Sequence, residues 1–306
     1  MSVDLTTRLG PLTLKNPVIA AAGTVGYGEE FDEHRLLGRL GAVVTKTLTR
    51  APRDGHAPPR LVETAAGMLN AVGLANIGMD RFLAERWPRL RARQAAIIVS
   101  ILGESSEEFV ELARRVEQAG GAAAIELNLS CPNTAAGGAG LVAQDPRATE
   151  ATVNAVRRVT RLPLIAKLAP DVTDIRPVAQ AAEHGGADAL TIANTFVGMA
   201  IDVQTRRSKL GRPTGALSGP AIKPLALYRV WRTAAAVKIP VIGLGGIRTG
   251  EDAVEFLVAG ARAVGVGTAH FADPRASLRV LDELTRFIRR RAIAQIGDLV
   301  GTLQAT

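Results

Sequence analysis

The chain has 306 residues, of which 47% are hydrophobic and only 4% aromatic, and it carries a formal net charge of +8. The high apolar share excludes a disordered chain, and the length suits one large α/β domain. A single cysteine excludes internal disulfides and four-thiolate metal sites, and it predicts a reducing, cytoplasmic compartment. No apolar run reaches the roughly 18 residues of a membrane span, so no membrane association is expected.

The positive charge does not predict nucleic-acid binding, because the basic residues are dispersed along the chain. Their one cluster, Arg286 to Arg291, is typical of a solvated helix end. The 4 histidines show no metal-ligand spacing, so no metal site is expected either.

The first predicted element is a small β-hairpin. Apolar residues alternate from Leu5 to Leu14 across a Gly10-Pro11 turn. We expect this hairpin to cover the floor of the core.

Eight strand-like runs follow, and most are continuously apolar, which is typical of strands buried on both faces of a parallel sheet. They span residues 18–22, 42–47, 96–101, 123–129, 164–168, 189–194, 241–245 and 263–268. Helical patterns lie between them at residues 29–40, 105–119, 146–160, 175–184, 225–237, 251–258 and 274–291. This alternation predicts an α/β fold, a closed (β/α)8 TIM barrel, with residues 1–306 as a single domain.

Two connections are much longer than is usual, namely residues 48–78 and 195–224. Both follow the carboxyl end of a strand, which is the face where barrel enzymes build their sites. We therefore expect these extended loops to cover a substrate.

Two lysines stand inside apolar runs, Lys46 in Val-Val-Thr-Lys and Lys167 in Ile-Ala-Lys-Leu. An unpaired buried ammonium is costly, so each lysine should meet an anion or a strong acceptor at the barrel mouth. Contact with a ligand is the prediction, and a structural role is the alternative.

The last two strands end in glycines, with Gly245 and Gly246 after one and Gly267 and Thr268 after the other. Backbone N–H groups without a side chain can approach a phosphate closely, and barrels often bind phosphate at this place. Neither GxGxxG nor a P-loop is present, so the pattern favours a mononucleotide cofactor over a nicotinamide dinucleotide. Tight turns alone are the alternative.

The segment Asn-Leu-Ser-Cys-Pro-Asn at 128–133 places Cys131, the only cysteine, at the exit of a buried strand. A thiol there can serve as a base, although a buried structural thiol is the alternative. The amides of Asn70, Asn128, Asn133 and Asn194 suit a planar ligand with ring N–H and C=O groups, such as a pyrimidine. Taken singly, each is as consistent with a turn or cap.

Together these segments resemble the class 1 dihydroorotate dehydrogenases, most of all the catalytic subunit of the class 1B, NAD-linked enzymes. The resemblance covers nearly the whole length, and its most specific pieces are NLSCPN at 128–133, NAVGL at 70–74, GMAID at 198–202, LSGPAIKP at 217–224 and GLGGI at 243–247. It implies an FMN-containing barrel that oxidises dihydroorotate to orotate in de novo pyrimidine biosynthesis.

The resemblance also implies roles for individual residues. Cys131 would be the general base that removes the C5 proton while hydride leaves C6 for the flavin. The implied substrate contacts are Lys46, Asn70, Ala71, Val72, Gly73, Leu74, Asn128, Asn133, Asn194 and Thr195. The implied FMN contacts are Ala22, Gly23, Lys46, Thr47, Ser100, Asn128, Lys167, Ile192, Gly219, Gly245, Gly246, Gly267 and Thr268.

By the same resemblance, electrons would reach NAD through a partner subunit that carries FAD and a [2Fe–2S] cluster, and the chain would form a homodimer or a heterotetramer with that subunit. The alternatives are a fumarate-dependent class 1A enzyme, a dihydropyrimidine dehydrogenase-like enzyme and a non-catalytic flavin-binding subunit. Three features stand out against the family pattern. Ser100 replaces a common asparagine, residues 73–78 differ from the usual loop, and residues 134–144 are rich in Ala and Gly, which would permit a mobile lid.

Overall fold

A computed structural model describes residues 3–30, 36–93, 95–130 and 142–304. Its strands in chain order are β1 (Thr7–Leu9), β2 (Leu12–Leu14), β3 (Val18–Ala20), β4 (Ala42–Val44), β5 (Leu61–Thr64), β6 (Gly67–Asn70), β7 (Ile97–Ile101), β8 (Ala124–Asn128), β9 (Leu164–Lys167), β10 (Ala189–Ile192), β11 (Phe196–Gly198), β12 (Ile201–Asp202), β13 (Arg207–Ser208), β14 (Gly215–Ser218), β15 (Val241–Leu244) and β16 (Ala263–Val266).

The strands β3, β4, β7, β8, β9, β10, β15 and β16 join in that order into a closed barrel, and every neighbouring pair is parallel. The predicted (β/α)8 barrel is therefore confirmed. Most strands end before their predicted boundary, as β4 does at Val44. There the Lys46 N–H bonds the Gly26 carbonyl, 2.7 Å away, so the backbone leaves the ladder and turns into the mouth.

The helices are α1 (Leu36–Arg39), α2 (Met79–Arg81), α3 (Trp87–Arg91), α4 (Ser106–Ala119), α5 (Pro146–Arg157), α6 (Arg176–His184), α7 (Lys223–Ala234), α8 (Gly250–Val258), α9 (Ala269–Ala272) and α10 (Ala276–Arg290). The predicted start of α4 is confirmed, because the Ser105 hydroxyl accepts a hydrogen bond from the Glu108 N–H at 3.3 Å. Part of the first predicted helix, residues 31–35, lies outside the described residues.

The prediction missed the short helix α9 and a longer helical stretch, in which a π-helical turn, Phe82–Arg86, links α2 to α3. Met79, Phe82, Trp87 and Leu90 from this stretch are buried in the main core. Pro88 lies in the first turn of α3, where its missing N–H costs no helical hydrogen bond.

The predicted hairpin is confirmed, with Thr7 opposite Leu14 across β1 and β2. Leu9, Leu12 and Leu14 pack in one cluster with residues at the lower ends of the barrel strands, including Ile98 and Ile165. The hairpin thus closes the barrel floor, so ligands must enter from the carboxyl ends of the strands.

The two long connections carry structure that the sequence analysis did not predict. Four of their strands pair into one antiparallel sheet in the order β11-β14-β6-β5, and β12 pairs with β13 in a separate two-stranded sheet. The pairing of β6 with β14 joins residues that lie far apart in the chain, such as Asn70 and Ala216. No helix in the described part has the length and apolar character for a membrane crossing.

Candidate active site

On one side of the barrel, the interior changes from apolar to polar along four neighbouring strands. Side chains two positions apart on a strand point to the same face. On four neighbouring strands, a floor residue is followed two positions later by a polar one: Ile98 by Ser100, Ala124 by Glu126, Ile165 by Lys167, and Ala189 by Thr191. We call Ser100, Glu126, Lys167 and Thr191 the polar layer; it lies directly above the floor and faces the mouth.

Lys167 is buried, with 5% of its surface exposed. Its register partners are Asn128 on β8 and Thr191 on β10. Within the described residues, no hydrogen bond or ion pair engages its ammonium group. A buried cation in this state is costly unless an anion or a strong acceptor completes the site.

Lys46 follows β4 and is half-buried. Its ammonium lies beside the loop after β3, because a Cβ built on Gly23 would lie 3.9 Å from the Lys46 Nζ. Ala22 and Gly23 belong to the same loop, so these three predicted residues share one side of the mouth.

A continuous series of hydrogen bonds crosses the mouth. The Asn194 amide donates to the Ser130 hydroxyl at 2.6 Å, and that hydroxyl donates to the Asn128 Oδ1 at 3.1 Å. The Asn128 Nδ2 donates to the Thr47 Oγ1 at 3.2 Å, and the Thr47 and Ser100 hydroxyls are 2.9 Å apart. The structure thus brings together residues that the sequence predicted at separate strand ends.

Ser100 connects this series of hydrogen bonds to the carboxylate of Glu126. Its hydroxyl is fully buried and donates to the Glu126 Oε1 at 3.3 Å, while Thr191 donates to the Glu126 Oε2 at 3.1 Å. The predicted direct contact of Ser100 with a cofactor stays a prediction, since this hydroxyl already has two protein partners.

The loops after β15 and β16 present unpaired backbone donors. In the described part of the chain, the N–H groups of Gly245, Gly246, Gly267 and Thr268 donate no hydrogen bond. Gly245 and Gly246 have φ angles of 138° and 74°, and a Cβ on Gly246 would come within 2.7 Å of the Lys223 Cβ. Only glycine fits here, and its bare backbone is suited to hold a phosphate.

We call the four backbone N–H groups of Gly245, Gly246, Gly267 and Thr268 the glycine cradle. The side chain of Lys223 points away from it. Its ammonium binds Asp252 at 2.7 Å and Glu255 at 2.8 Å on α8. Burial lowers the pKa of Lys223, but the hydrogen bonds to these carboxylates outweigh it and raise the pKa overall. The cradle therefore relies on backbone N–H groups rather than on this lysine.

Asn76 fixes the predicted substrate loop at residues 70–74. Its Oδ1 accepts from the Gly78 N–H at 2.9 Å, and its Nδ2 donates to the Thr49 hydroxyl at 2.9 Å and to the Leu74 carbonyl at 2.7 Å. Thr49 follows β4 closely in the chain, so the loop returns toward the strand end that carries Lys46. Ala71, Val72, Gly73 and Leu74 are thereby held near the mouth.

Three further predicted contacts lie at the end of a strand or directly after one. The Asn70 amide donates to the Ala216 carbonyl at 3.2 Å, across β6 and β14. Gly219 follows β14, where a Cβ would lie 2.7 Å from the Gly67 Cα, so glycine permits this close approach. Ile192 ends β10, and the peptide bond between Ile192 and Ala193 is cis.

Comparison with known proteins decides the family. The family model described as "Dihydroorotate dehydrogenase" matches residues 4–288. The chain belongs to the dihydroorotate dehydrogenase family. Among its curated relatives, the "Putative dihydroorotate dehydrogenase A (fumarate)" of Solibacter usitatus is 51% identical over 304 residues, covering 99% of this chain and 100% of the relative.

Relatives named for the NAD-linked class are nearly as similar. The "Dihydroorotate dehydrogenase B (NAD(+)), catalytic subunit" of Geobacter sulfurreducens is 49% identical over 301 residues, covering 98% of each chain. Its namesake from Desulforudis audaxviator is 48% identical over 306 residues, covering 100% of this chain and 99% of the relative. The family predicted from the sequence motifs is confirmed.

Two predicted residues of this family member, Cys131 and Asn133, lie outside the described residues, as do residues 134–141 of the predicted lid. Their roles rest on the sequence. Thr195 is described, and its N–H donates to the Asn194 Oδ1 at 2.8 Å. This bond orients the Asn194 amide so that its nitrogen faces Ser130.

The sequence motifs did not identify Glu126, Ser130 and Asn76 as residues of the site. Glu126 gives the same signal that identified the two lysines, because it is a charged residue within an apolar strand. Ser130 and Asn76 offered no such signal, since hydroxyl and amide side chains are common in loops. Their roles depend on partners that lie far away in the sequence.

Proposed function

We propose that this chain catalyses the oxidation of dihydroorotate to orotate in pyrimidine biosynthesis, with FMN as the cofactor at the barrel mouth. The observation that carries the proposal is the buried ammonium of Lys167, which has no hydrogen-bond or ion-pair partner among the described residues. It faces the same mouth as the N–H groups of Gly245, Gly246, Gly267 and Thr268, which are unpaired in the same part of the chain. One bound molecule with a phosphate and an electron-rich ring would satisfy both sets of donors.

The residues present fit FMN. The glycine cradle would hold the phosphate, and Lys167 would lie against the part of the ring that becomes negative on reduction. Ala22, Gly23, Thr47, Ser100, Ile192 and Gly219 would complete the cofactor site. When bound, FMN supplies the acceptor for the hydride that leaves C6 of the substrate.

The chain's own residues would supply proton transfer and orientation. Cys131 would take the proton from C5 as a thiolate, and the C5–H electron pair would form the new double bond as hydride leaves C6. A thiol has an ordinary pKa of about 8.5, so a local shift of modest size makes the thiolate available near neutrality.

Amide groups would orient the pyrimidine ring. Asn128 has both ends partly engaged, by Thr47 and Ser130, so its remaining N–H and lone pair have a fixed direction. Asn70, Asn133 and Asn194 would provide matching donors and acceptors, together with Thr195, and residues 71–74 would line the pocket. Lys46 would contribute the positive charge that an anionic orotate requires.

For the electron acceptor we propose NAD, reached through a partner subunit that carries FAD and a [2Fe–2S] cluster. The names of the Geobacter and Desulforudis relatives, both catalytic subunits, support this assignment. Fumarate is the second candidate, because the Solibacter relative is named for it. We propose a homodimer, which would become a heterotetramer with the partner subunit.

The proposal is tested by anaerobic mixing of the purified, FMN-loaded chain with dihydroorotate. We expect bleaching of the flavin absorbance in a single turnover, with stoichiometric orotate. A flavin that stays oxidised would contradict catalysis and indicate a binding subunit, and reactivity with dihydrouracil instead would indicate a dihydropyrimidine dehydrogenase-like enzyme. Reoxidation of the isolated chain by fumarate would favour the second acceptor.

A further inference from the structure

Glu126 is a buried acid with no role in the proposed chemistry. It lies at the centre of β8 with 3% of its surface exposed, and it is the only carboxylate among the buried side chains of the described residues. Both of its oxygens accept hydrogen bonds, from Ser100 and from Thr191. An ionised carboxylate can only accept, so this pair of donors suits the charged form.

The Glu126 carboxylate accepts hydrogen bonds and donates none, and it lies at one end of the series that runs to Asn194. It therefore sets which hydroxyl donates and which accepts in the adjoining bonds. Because the Ser100 hydroxyl gives its proton to Glu126, the Thr47 hydroxyl must donate to Ser100. The Thr47 oxygen is then left to accept from the Asn128 amide. The Asn128 Oδ1 in turn accepts from Ser130, which accepts from Asn194.

Glu126 also shares a barrel layer with Lys167. Thr191 is the register partner of Lys167 on the neighbouring strand, and the same threonine donates to the Glu126 carboxylate. Glu126 and Asn128 point to one face of β8, and Asn128 is the partner of Lys167 on the other side. Two opposite charges are therefore buried in one layer, and they form no direct ion pair within the described residues.

We infer that Glu126 is a positioning residue of the active site: its carboxylate orders the hydrogen bonds from Asn194 to Ser100 and offsets the charge of Lys167. The cofactor side of this inference rests on the proposed function. A negative charge in the polar layer opposes the negative charge that a reduced flavin carries, whereas Lys167 favours it. The two residues thus set the flavin reduction potential in opposite directions.

The first test measures the midpoint potential of the bound flavin by chemical reduction, which needs no dihydroorotate. We expect Glu126→Gln to shift the potential in the positive direction, Lys167→Met to shift it in the negative direction, and Glu126→Asp to remain near the parent. The matched control is Thr152→Val, which removes a buried hydroxyl bonded to Ser106 between the outer helices. This control should lower stability without moving the potential.

An unchanged potential in Glu126→Gln, or a shift in the same direction as in Lys167→Met, would overturn the charge arrangement. The parent enzyme provides a measurement that needs no folded variant. Its reduced-minus-oxidised infrared difference spectrum should contain shifted carboxylate bands, because a buried carboxylate senses the new charge nearby. The absence of any carboxylate band would also overturn the inference.

The order of the hydrogen bonds is tested separately on the protein without flavin. If Glu126 directs this series of hydrogen bonds, Glu126→Gln should lower the urea midpoint less in an Asn128→Ala background than in the parent protein. The reason is that Asn128→Ala has already interrupted the series. Additive shifts would contradict the inference. A chain that binds no FMN would count against the proposed function, and this double-mutant cycle would still decide the role of Glu126.

Discussion

The amide of Asn194 donates a 2.6 Å hydrogen bond to the hydroxyl of Ser130, and this bond joins the ends of two barrel strands that are not neighbours. It passes over β9, the strand that carries Lys167. Ser130 directly precedes Cys131 in the chain. The bond therefore links a loop on one side of the mouth to the residue next to the proposed base.

Replacing Ser130 by alanine should lower the rate of flavin reduction by dihydroorotate about fivefold. The Asn128 amide loses one of the hydrogen bonds that orient it, and a loss of about 1 kcal/mol in transition-state stabilisation corresponds to this factor. Stopped-flow absorbance measures this rate. FMN content should stay at the parent level. A rate equal to that of the parent would show that Ser130 does not orient the site.

Replacing Cys131 by alanine should slow flavin reduction by about 10² to 10⁴, the usual effect of removing a general base. The bound flavin should remain, because the thiol is assigned to the proton and not to cofactor binding. Rapid mixing under anaerobic conditions gives the rate, and the visible spectrum gives the occupancy. Reduction at the parent rate would remove Cys131 from the role of base.

The variant Lys167→Met keeps most of the side-chain volume but removes the buried charge. We expect FMN to bind about 10- to 100-fold more weakly, since a hydrogen bond to a charged group contributes about 1.5 to 3 kcal/mol. Fluorescence titration of the apoprotein with FMN measures the dissociation constant. Unchanged affinity would contradict the placement of this lysine against the cofactor.

The hairpin can be tested through stability. Leu9 is fully buried against the barrel floor, so Leu9→Ala should lower the free energy of unfolding by about 2 to 5 kcal/mol. Its neighbour Arg8 is exposed on the same strand, and Arg8→Ala is the matched control with little expected effect. Urea unfolding followed by circular dichroism compares the two, and equal losses would show that the hairpin does not seal the core.

His270 gives a prediction for pH. Burial lowers its pKa from the ordinary 6.5 to about 4, and its ring nitrogens lie 3.2 Å from the Thr24 hydroxyl and 2.6 Å from the Ser277 hydroxyl. Between about pH 4 and pH 6.5, the histidine is neutral in the folded protein and protonated in the unfolded chain, so the unfolded chain binds more protons. Stability should therefore fall as pH decreases from about 6.5 to about 4, with a contribution from His270 of up to about 3 kcal/mol.

The variant His270→Gln removes this titration, so its stability should fall less steeply over the same range. Urea midpoints of parent and variant at several pH values measure the difference. Parallel slopes for the two proteins would contradict a neutral, buried His270.

Local sequence was enough to predict the barrel, because each strand is a short apolar run and each α/β unit repeats the same alternation. It also predicted that Lys167 and the glycines after β15 and β16 lie at strand ends, and the strand boundaries confirm this placement. The helical stretch at residues 79–91 was not predicted. It contains a π-helical turn and an internal proline, so its buried residues do not follow the regular spacing of an α-helix.

The sheet of β5, β6, β11 and β14 could not be predicted, because its strands belong to two connections that are separated in the chain by four of the eight barrel strands. Loop residues pair only after the barrel has brought their anchors together. For the same reason the contact of Asn76 with Thr49 was invisible in the sequence.

The sequence by itself determined the fold class, the family and the identity of the chemical groups, because these depend on residue type, periodicity and motifs. Only the tertiary structure decided how those groups face each other. Glu126 and Thr191 lie on strands that are not adjacent, and the closure of the barrel is what brings the hydroxyl within 3.1 Å of the carboxylate. Distance between side chains follows from barrel closure, and no local pattern encodes it.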